Sequence, residues 1–243
     1  MKNIETWQPT KYEMRKGRLR GSRDTAELGV ASRLVADLVA ERFQAALEQH
    51  AKGRLLDLGC GKVPLYGTYR PYVTEIVCVD WNVGTHVDRA CDLSEPLPFE
   101  AGQFDTIILS DVLEHLPDPK LLWSEMARIL AKDGKILISV PFLYWIHEHP
   151  HDYYRYTSFA LQRFARESGL TLLTLDAVGG AVEVIADVLG KVTFKLPVVG
   201  HPTAAGLQSV ARAVGKTSLG KRLVRATENH LPIGYFLVAH KAA

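Results

Sequence analysis

The chain has 243 residues, 47% hydrophobic and 23% charged, enough to bury one good core but cramped for a second full domain. Its formal net charge of +2 is too small to make nucleic acid or a membrane surface the main partner. No apolar run approaches the roughly 18 to 20 residues that cross a bilayer, and the opening MKNIETWQPTKYEM has no apolar signal core, so a cytoplasmic location is expected.

Residues 1–24 carry a local basic bias through Lys2, Lys11, Arg15, Lys16, Arg18, Arg20 and Arg23. Such a block reads first as a solvated, flexible arm, and second as a lid or a contact for an anionic substrate. Residues 25–243 read as a single domain. Thr25 to His50 predicts a long helix, because Leu34, Val35, Leu38, Val39, Phe43 and Leu47 recur at three- and four-residue spacing. Asp24 or Thr25 is a suitable N-cap.

Short apolar runs follow at Leu55–Leu58, Ile76–Val79, Thr106–Leu109 and Ile136–Val140, apolar on both faces as strands covered by helices on both sides should be. Pro119 to Leu130 predicts a helix between the last two runs, ended by a turn at Asp133-Gly134. Thr157 to Ser168 predicts another helix, and Thr171–Leu175 and Tyr235–Ala239 complete the strands. The stretch from about residue 180 to 234 reads as a basic insertion with one or two helices that could cover the active site, mediate dimerisation or rest on an anionic surface. Alternation of this kind argues for a parallel α/β sheet with ligands at the carboxyl ends of its strands. Cys60, Cys78 and Cys91 each lie in or beside an apolar stretch and read as small buried thiols.

The sharpest local signal is Leu55-Leu56-Asp57-Leu58-Gly59-Cys60-Gly61, a buried strand running into a Gly-x-Gly turn where a ligand can approach the backbone. A dinucleotide site wants a third glycine where this chain has Pro64, and Asp57 is a poor neighbour for a pyrophosphate. A nicotinamide-dependent oxidoreductase is therefore disfavoured. S-adenosylmethionine has no phosphate and carries an ammonium and a sulfonium, which makes an acid at Asp57 an asset. Asp80, ending Ile76-Val77-Cys78-Val79-Asp80, is placed to accept from both ribose hydroxyls, and Trp81 could pack on the adenine face. In Cys91-Asp92-Leu93 the acid can accept from the adenine amino group while the backbone N–H of Leu93 meets a ring nitrogen. The strand in FDTIILSDVLEHL turns polar at its end, putting Ser110 beside the methionine part.

DLGCG, Asp80, the CDL step, FDTIILSDVLEHL and DGKILISVPF occur in the order seen in class I S-adenosylmethionine-dependent methyltransferases. The chain resembles most the group related to quinone and small-molecule methylating enzymes, closely over Arg54 to Phe142 and elsewhere in outline. The resemblance implies a Rossmann-like, mostly parallel seven-stranded sheet with its last strand antiparallel, and cofactor roles for Asp57, Gly59, Gly61, Asp80, Asp92 and Ser110. Lys62-Val63-Pro64 departs from the family, stiffening the loop where many relatives keep a small residue.

The segment after the fourth main strand, His147-Glu148-His149-Pro150-His151-Asp152-Tyr153-Tyr154-Arg155-Tyr156-Thr157, resembles one recurring in bacterial methyltransferases associated with sugar or surface-glycan modification. An alcohol that attacks a methyl group must lose a proton, and a histidine suits that task. His147 or His151 is expected as base and Asp152 or Glu148 as orienter, with Tyr153, Tyr154 and Arg155 positioning a polar acceptor. Against this stands a plain Asp152–Arg155 salt bridge with the tyrosines divided between core and surface. Glu114-His115 reads equally as a contact to methionine or acceptor and as a helix-terminal pair. Tyr66, Tyr69 and Tyr72 read as packing. His147, His149 and His151 alternate as on one strand face, but Pro150 interrupts that geometry and methyl transfer needs no metal, so none is expected. The expectation is methyl transfer from S-adenosylmethionine to a hydroxyl of a small-molecule or glycan acceptor. Methylation of an amine, or a non-catalytic binding module, is the alternative.

Overall fold

The computed structural model describes residues 1–241. Residues 12–21, expected to be a solvated arm, fold into a hairpin of β1 (Tyr12–Arg15) and β2 (Arg18–Gly21), reversing at Lys16 and Gly17, both with positive φ. The hairpin is ordered because its apolar minority is placed on one face. Tyr12 and Leu19 are fully buried, while the charged side chains point outward. Two side chains of α1 (Arg33–His50) fasten it: Leu19 N–H donates to Gln44 Oε1 and Gly21 N–H to Asp37 Oδ1, each at 2.8 Å. Helix α1 starts later than the sequence pattern predicts, after a short 3-10 turn at Val30–Ser32.

The remaining elements are β3 (Arg54–Leu58), α2 (Tyr66–Tyr69), β4 (Glu75–Asp80), β5 (Arg89–Ala90), β6 (Phe104–Ser110), α3 (Pro119–Ile129), β7 (Leu130–Pro141), α4 (Ser158–Glu167), β8 (Leu170–Val178), α5 (Ala181–Phe194), α6 (Gly200–Lys216), α7 (Ser218–Thr227) and β9 (Gly234–Lys241). Seven strands form one sheet in the order β5-β4-β3-β6-β7-β9-β8. β9, the last in sequence, enters between β7 and β8 antiparallel to both, and the other pairs are parallel. This is the Rossmann-like sheet the alternating apolar runs predict, two-sided because helices cover both faces. One layer buries Leu122, Trp123 and Met126 of α3 with Leu161 of α4, and the other buries Phe43 and Leu47 of α1. Truncating any of the larger ones to alanine costs about 2–5 kcal/mol.

The order reverses between β3 and β6, so the loops after β3, β4, β6 and β7 meet above their carboxyl ends, where ligands bind in open α/β sheets. The insertion before β9 holds three helices, more than predicted, and α6 anchors it to the start of α1. Gln208 accepts from Leu34 N–H at 2.9 Å and donates to the Ala31 carbonyl, and Arg212 pairs with Asp37 at 2.8 Å. Helix α5 thereby lies beside the segment that follows β7, with Lys191 Nζ 3.2 Å from the Tyr144 ring centre. Cys60 and Cys78 are buried and Cys91 half-buried, all three as free thiols. Tyr66 and Tyr69 are buried as packing, while Tyr72 is exposed. No helix among the described residues is long and apolar enough to cross a membrane.

Candidate active site

The turn after β3 uses two glycines in the left-handed region, Gly59 at φ 68° and Gly61 at φ 51°. A Cβ on Gly59 would meet Val112 Cγ2 at 2.5 Å, whereas one on Gly61 would point into open space. Gly61 N–H donates to Asp80 Oδ2 at 2.9 Å, and Asn82 N–H to Asp80 Oδ1 at 3.0 Å. Asp80 therefore ties the turns after β3 and β4 together, and each of its oxygens keeps a lone pair for a ligand. Trp81 beside it is 61% exposed, its ring edge-on to His151 at 5.0 Å between centres. An open glycine turn, a strand-end carboxylate with spare acceptors and an exposed indole fit an adenosyl group.

Asp57 lies deeper than the sequence reading implies. It is buried, it accepts from the Tyr69 hydroxyl at 3.2 Å, and burial pushes its carboxyl up to about 7. Asp92 is exposed and accepts from Ser94 N–H at 2.8 Å, and Leu93 is buried in the core beneath it.

Beyond the end of β6 a cavity of about 210 Å³ is lined by Ser110, Asp111, Glu114, His115, Tyr144 and His147 together with Lys11 and Tyr12 of the N-terminal segment. Lys11 Nζ lies 2.9 Å from Asp111 Oδ2, and Ser139 Oγ donates to Asp111 Oδ1 at 2.7 Å. Burial opposes the charge on Asp111, but Lys11, Ser139 and His147 outweigh it and hold the carboxyl below its ordinary range. Sequence reasoning missed Lys11 and Asp111 as site residues. Asp111 stands inside the motif quoted above and could have been found there, but nothing local marks Lys11 among its basic neighbours.

The segment after β7 divides its histidines. His147 faces the cavity. Its backbone N–H donates to Asp152 Oδ2 at 2.8 Å, and its Nδ1 lies 3.3 Å from the same oxygen. His151 stands outside the cavity wall, with Nδ1 on the Tyr153 hydroxyl at 3.2 Å and its carbonyl oxygen 2.6 Å from His115 Nδ1. Arg155 grips Asp152 with two nitrogens at 2.5 and 2.8 Å and reaches the Trp145 carbonyl at 3.0 Å, so its guanidinium braces the segment. That pairing holds the Asp152 carboxyl far below the usual carboxylate range. Tyr153 is half-exposed near His151, and the Tyr154 hydroxyl donates to the Pro117 carbonyl at 2.9 Å. Glu148 and His149 are exposed, and Glu148 sits on the cavity rim.

Glu114 is the group the sequence leaves undecided. Its carboxylate is completely buried, and neither oxygen accepts a hydrogen bond from a described residue. His115 Nε2 and His147 Nε2 stand 3.6 and 3.7 Å from its Oε1, beyond hydrogen-bond length. Burial pushes the Glu114 carboxyl up. Burial also disfavours charge on His147, but Glu114 and Asp152 outweigh it and raise the imidazole above its ordinary value.

Comparison with known proteins identifies the family and the fold. The family described as a methyltransferase domain matches residues 30–175, well over half the chain. An uncharacterized methyltransferase of Mycobacterium sp. (strain KMS) is 31% identical over 151 residues, which is 55% of this chain and 58% of that protein. A ubiquinone biosynthesis O-methyltransferase of Xanthomonas axonopodis pv. citri (strain 306) is 30% identical over 113 residues, 41% of this chain and 47% of that one. The chain thus spans about half the length of these curated relatives. A geranyl diphosphate methyltransferase solved with S-adenosylmethionine superposes with a TM-score of 0.55 at 16% identity, covering 90% of this chain and 93% of that one, a likeness of fold.

Proposed function

The chain belongs to the methyltransferase-domain family, and from that premise we propose that it methylates a hydroxyl of a small-molecule or glycan acceptor with S-adenosylmethionine as donor. The observation that carries the hydroxyl reading is His147, which lines the cavity at the end of β6, its backbone N–H held by Asp152 Oδ2 and its Nδ1 3.3 Å from the same oxygen. Acceptors stand at both ring nitrogens, Asp152 Oδ2 at 3.3 Å and the Trp145 carbonyl at 3.4 Å beside Nδ1 and Glu114 Oε1 at 3.7 Å from Nε2, which favours the charged ring. In the neutral form that acts as base, Nδ1 keeps the proton and Nε2 has the lone pair.

When bound, S-adenosylmethionine supplies a methyl group on a positively charged sulfur. Asp57, Gly59, Gly61, Asp80, Trp81, Asp92, Leu93 and Ser110 are the residues assigned to hold it, Asp80 through its spare acceptors and Gly61 through its open approach. Asp57 acts from beneath the turn. His147 Nε2 takes the proton of the acceptor hydroxyl, and Asp152, braced by Arg155, keeps the imidazole oriented. Lys11 and Tyr12 form part of the cavity wall and shield the reacting groups from water. His151 and Tyr153 cluster with Trp81 outside that cavity, where they contact the adenosyl edge or the acceptor. Tyr154 and Arg155 hold the segment in shape.

The test is an acceptor screen of sugars, nucleotide sugars and phenols with wild type and His147→Ala. The variant should lose about 10²–10⁴-fold in kcat while binding S-adenosylhomocysteine as tightly as wild type. Methylation confined to amines, or a variant with unchanged kcat, would refute the hydroxyl reading.

A further inference from the structure

We propose that Glu114, His115 and His147 form a binding site for one divalent transition-metal cation. One atom from each residue, a carboxylate oxygen or an imidazole nitrogen, lies within 4.8 Å of the others. Two of the three spacings, 3.6 and 3.7 Å, are close to those of a bound set. Ligands about 2.0–2.1 Å from a tetrahedral zinc are about 3.4 Å apart. Only the two imidazoles have to draw nearer to each other.

The hydrogen bonds around the cluster leave the right lone pairs free. His115 Nδ1 lies 2.6 Å from the His151 carbonyl oxygen, which can only accept, so Nδ1 carries a proton and in the neutral ring Nε2 is bare. In its neutral form His147 reaches the same state through the Trp145 carbonyl at 3.4 Å, with Asp152 Oδ2 3.3 Å from the same nitrogen. Metal-binding histidines are oriented in this way, with one nitrogen donating to a carbonyl or carboxylate and the other facing the ion. Both bare nitrogens face Glu114, a buried carboxylate with no hydrogen bond to either oxygen from a described residue. Burying an ionised carboxylate without a partner is costly, and a cation at this point removes the cost. Two imidazoles and one carboxylate select zinc, manganese or iron over magnesium or calcium. The three ligands line the cavity and leave further positions of the ion facing it, the pattern of a catalytic site.

The role of this cation rests on the methyl-transfer reading above, although its binding does not. A cation there takes over the task assigned to the His147 lone pair by attracting the acceptor oxygen, so that the hydroxyl proton leaves to water at the rim. The oxygen gains the methyl group, and sulfur keeps the electron pair of the bond that breaks.

The test is calorimetry on untagged, chelator-treated protein titrated with Zn²⁺, Mn²⁺ and Mg²⁺. One Zn²⁺ per chain should bind, with Mg²⁺ far weaker. Glu114→Gln and His115→Ala should each weaken Zn²⁺ by tenfold or more, and His149→Ala should change nothing. Binding of S-adenosylhomocysteine checks that each variant is folded. If Glu114→Gln fails that check, the partly exposed His115 decides the matter. Absence of Zn²⁺ binding, or affinity indifferent to both substitutions, overturns the site. Methyl transfer that survives chelation without any Zn²⁺ binding removes the cation and leaves the hydroxyl reading intact. Zn²⁺ binding that responds to both substitutions, in a protein that methylates no hydroxyl, keeps the site and removes that reading.

Discussion

Asp80→Asn separates a cofactor contact from a loop brace. In the wild type one carboxylate oxygen accepts from Gly61 N–H at 2.9 Å and the other from Asn82 N–H at 3.0 Å. The remaining lone pairs are those assigned to the ribose hydroxyls. An amide keeps one oxygen, and its nitrogen only donates, so one backbone N–H then faces a donor and one hydroxyl loses its acceptor. Hydrogen bonds to charged groups contribute about 1.5–3 kcal/mol and neutral ones about 0.5–1.5 kcal/mol. The cofactor should therefore bind about 2 kcal/mol more weakly, roughly 30-fold in Kd. Losing the backbone bond costs about 1 kcal/mol of stability, or about 2–4 °C in Tm for a chain of this size. The assay is calorimetric titration with S-adenosylhomocysteine, with thermal melts on the same samples. Asp92→Asn is the internal control. Asp92 is exposed and among the described residues its side chain accepts only the Ser94 N–H, so its loss should be smaller. A folded Asp80→Asn protein that binds within twofold of wild type would refute the assignment and leave Asp80 as a brace between two turns.

The raised carboxyl of Asp57 predicts a pH signature. Its folded value of about 7 lies above its ordinary 3.8, so the folded state holds the proton more tightly and stability falls as pH rises from about 4 through 7. The full span is about 4 kcal/mol, at about 1.4 per unit. Asp57→Asn should melt above wild type by a clearly larger margin at pH 8 than at pH 5, and an equal margin would show that burial does not govern this group. Lys191 and Asp187 form a buried ion pair at 2.6 Å, with the lysine also over the Tyr144 ring. Asp187→Ala leaves a buried charge unpaired and should cost about 3–5 kcal/mol, whereas Asp187→Leu combined with Lys191→Met should fall within about 1 kcal/mol of wild type or exceed it. Denaturant titration checks both, and equal losses in the two proteins would contradict the pairing.

The sheet was legible in the sequence because strand formation here is a local pattern. Leu55–Leu58, Ile76–Val79, Thr106–Leu109 and Ile136–Val140 are apolar on both faces, and each lies within an observed strand. The glycine turn and the strand-end Asp80 were legible for the same reason, since backbone shape and strand register place them. The hairpin in the basic segment was not, because charge count masks the two residues, Tyr12 and Leu19, that decide its burial.

The division of labour among the histidines is a tertiary property. Nothing in HEHPHDYYRYT distinguishes His147 from His151 until Asp152 and Arg155 pin the segment and turn one ring toward Glu114. Glu114 itself is an ordinary acid in sequence, and only the packing of the segment after β7 over the end of β6 buries it. Lys11 reaches Asp111 across 100 residues of chain, a contact no local pattern encodes. Elements and turns follow from backbone geometry and the spacing of apolar side chains, which the sequence carries along its length. The site depends on which distant side chains are desolvated together, and that is decided only when the layers close.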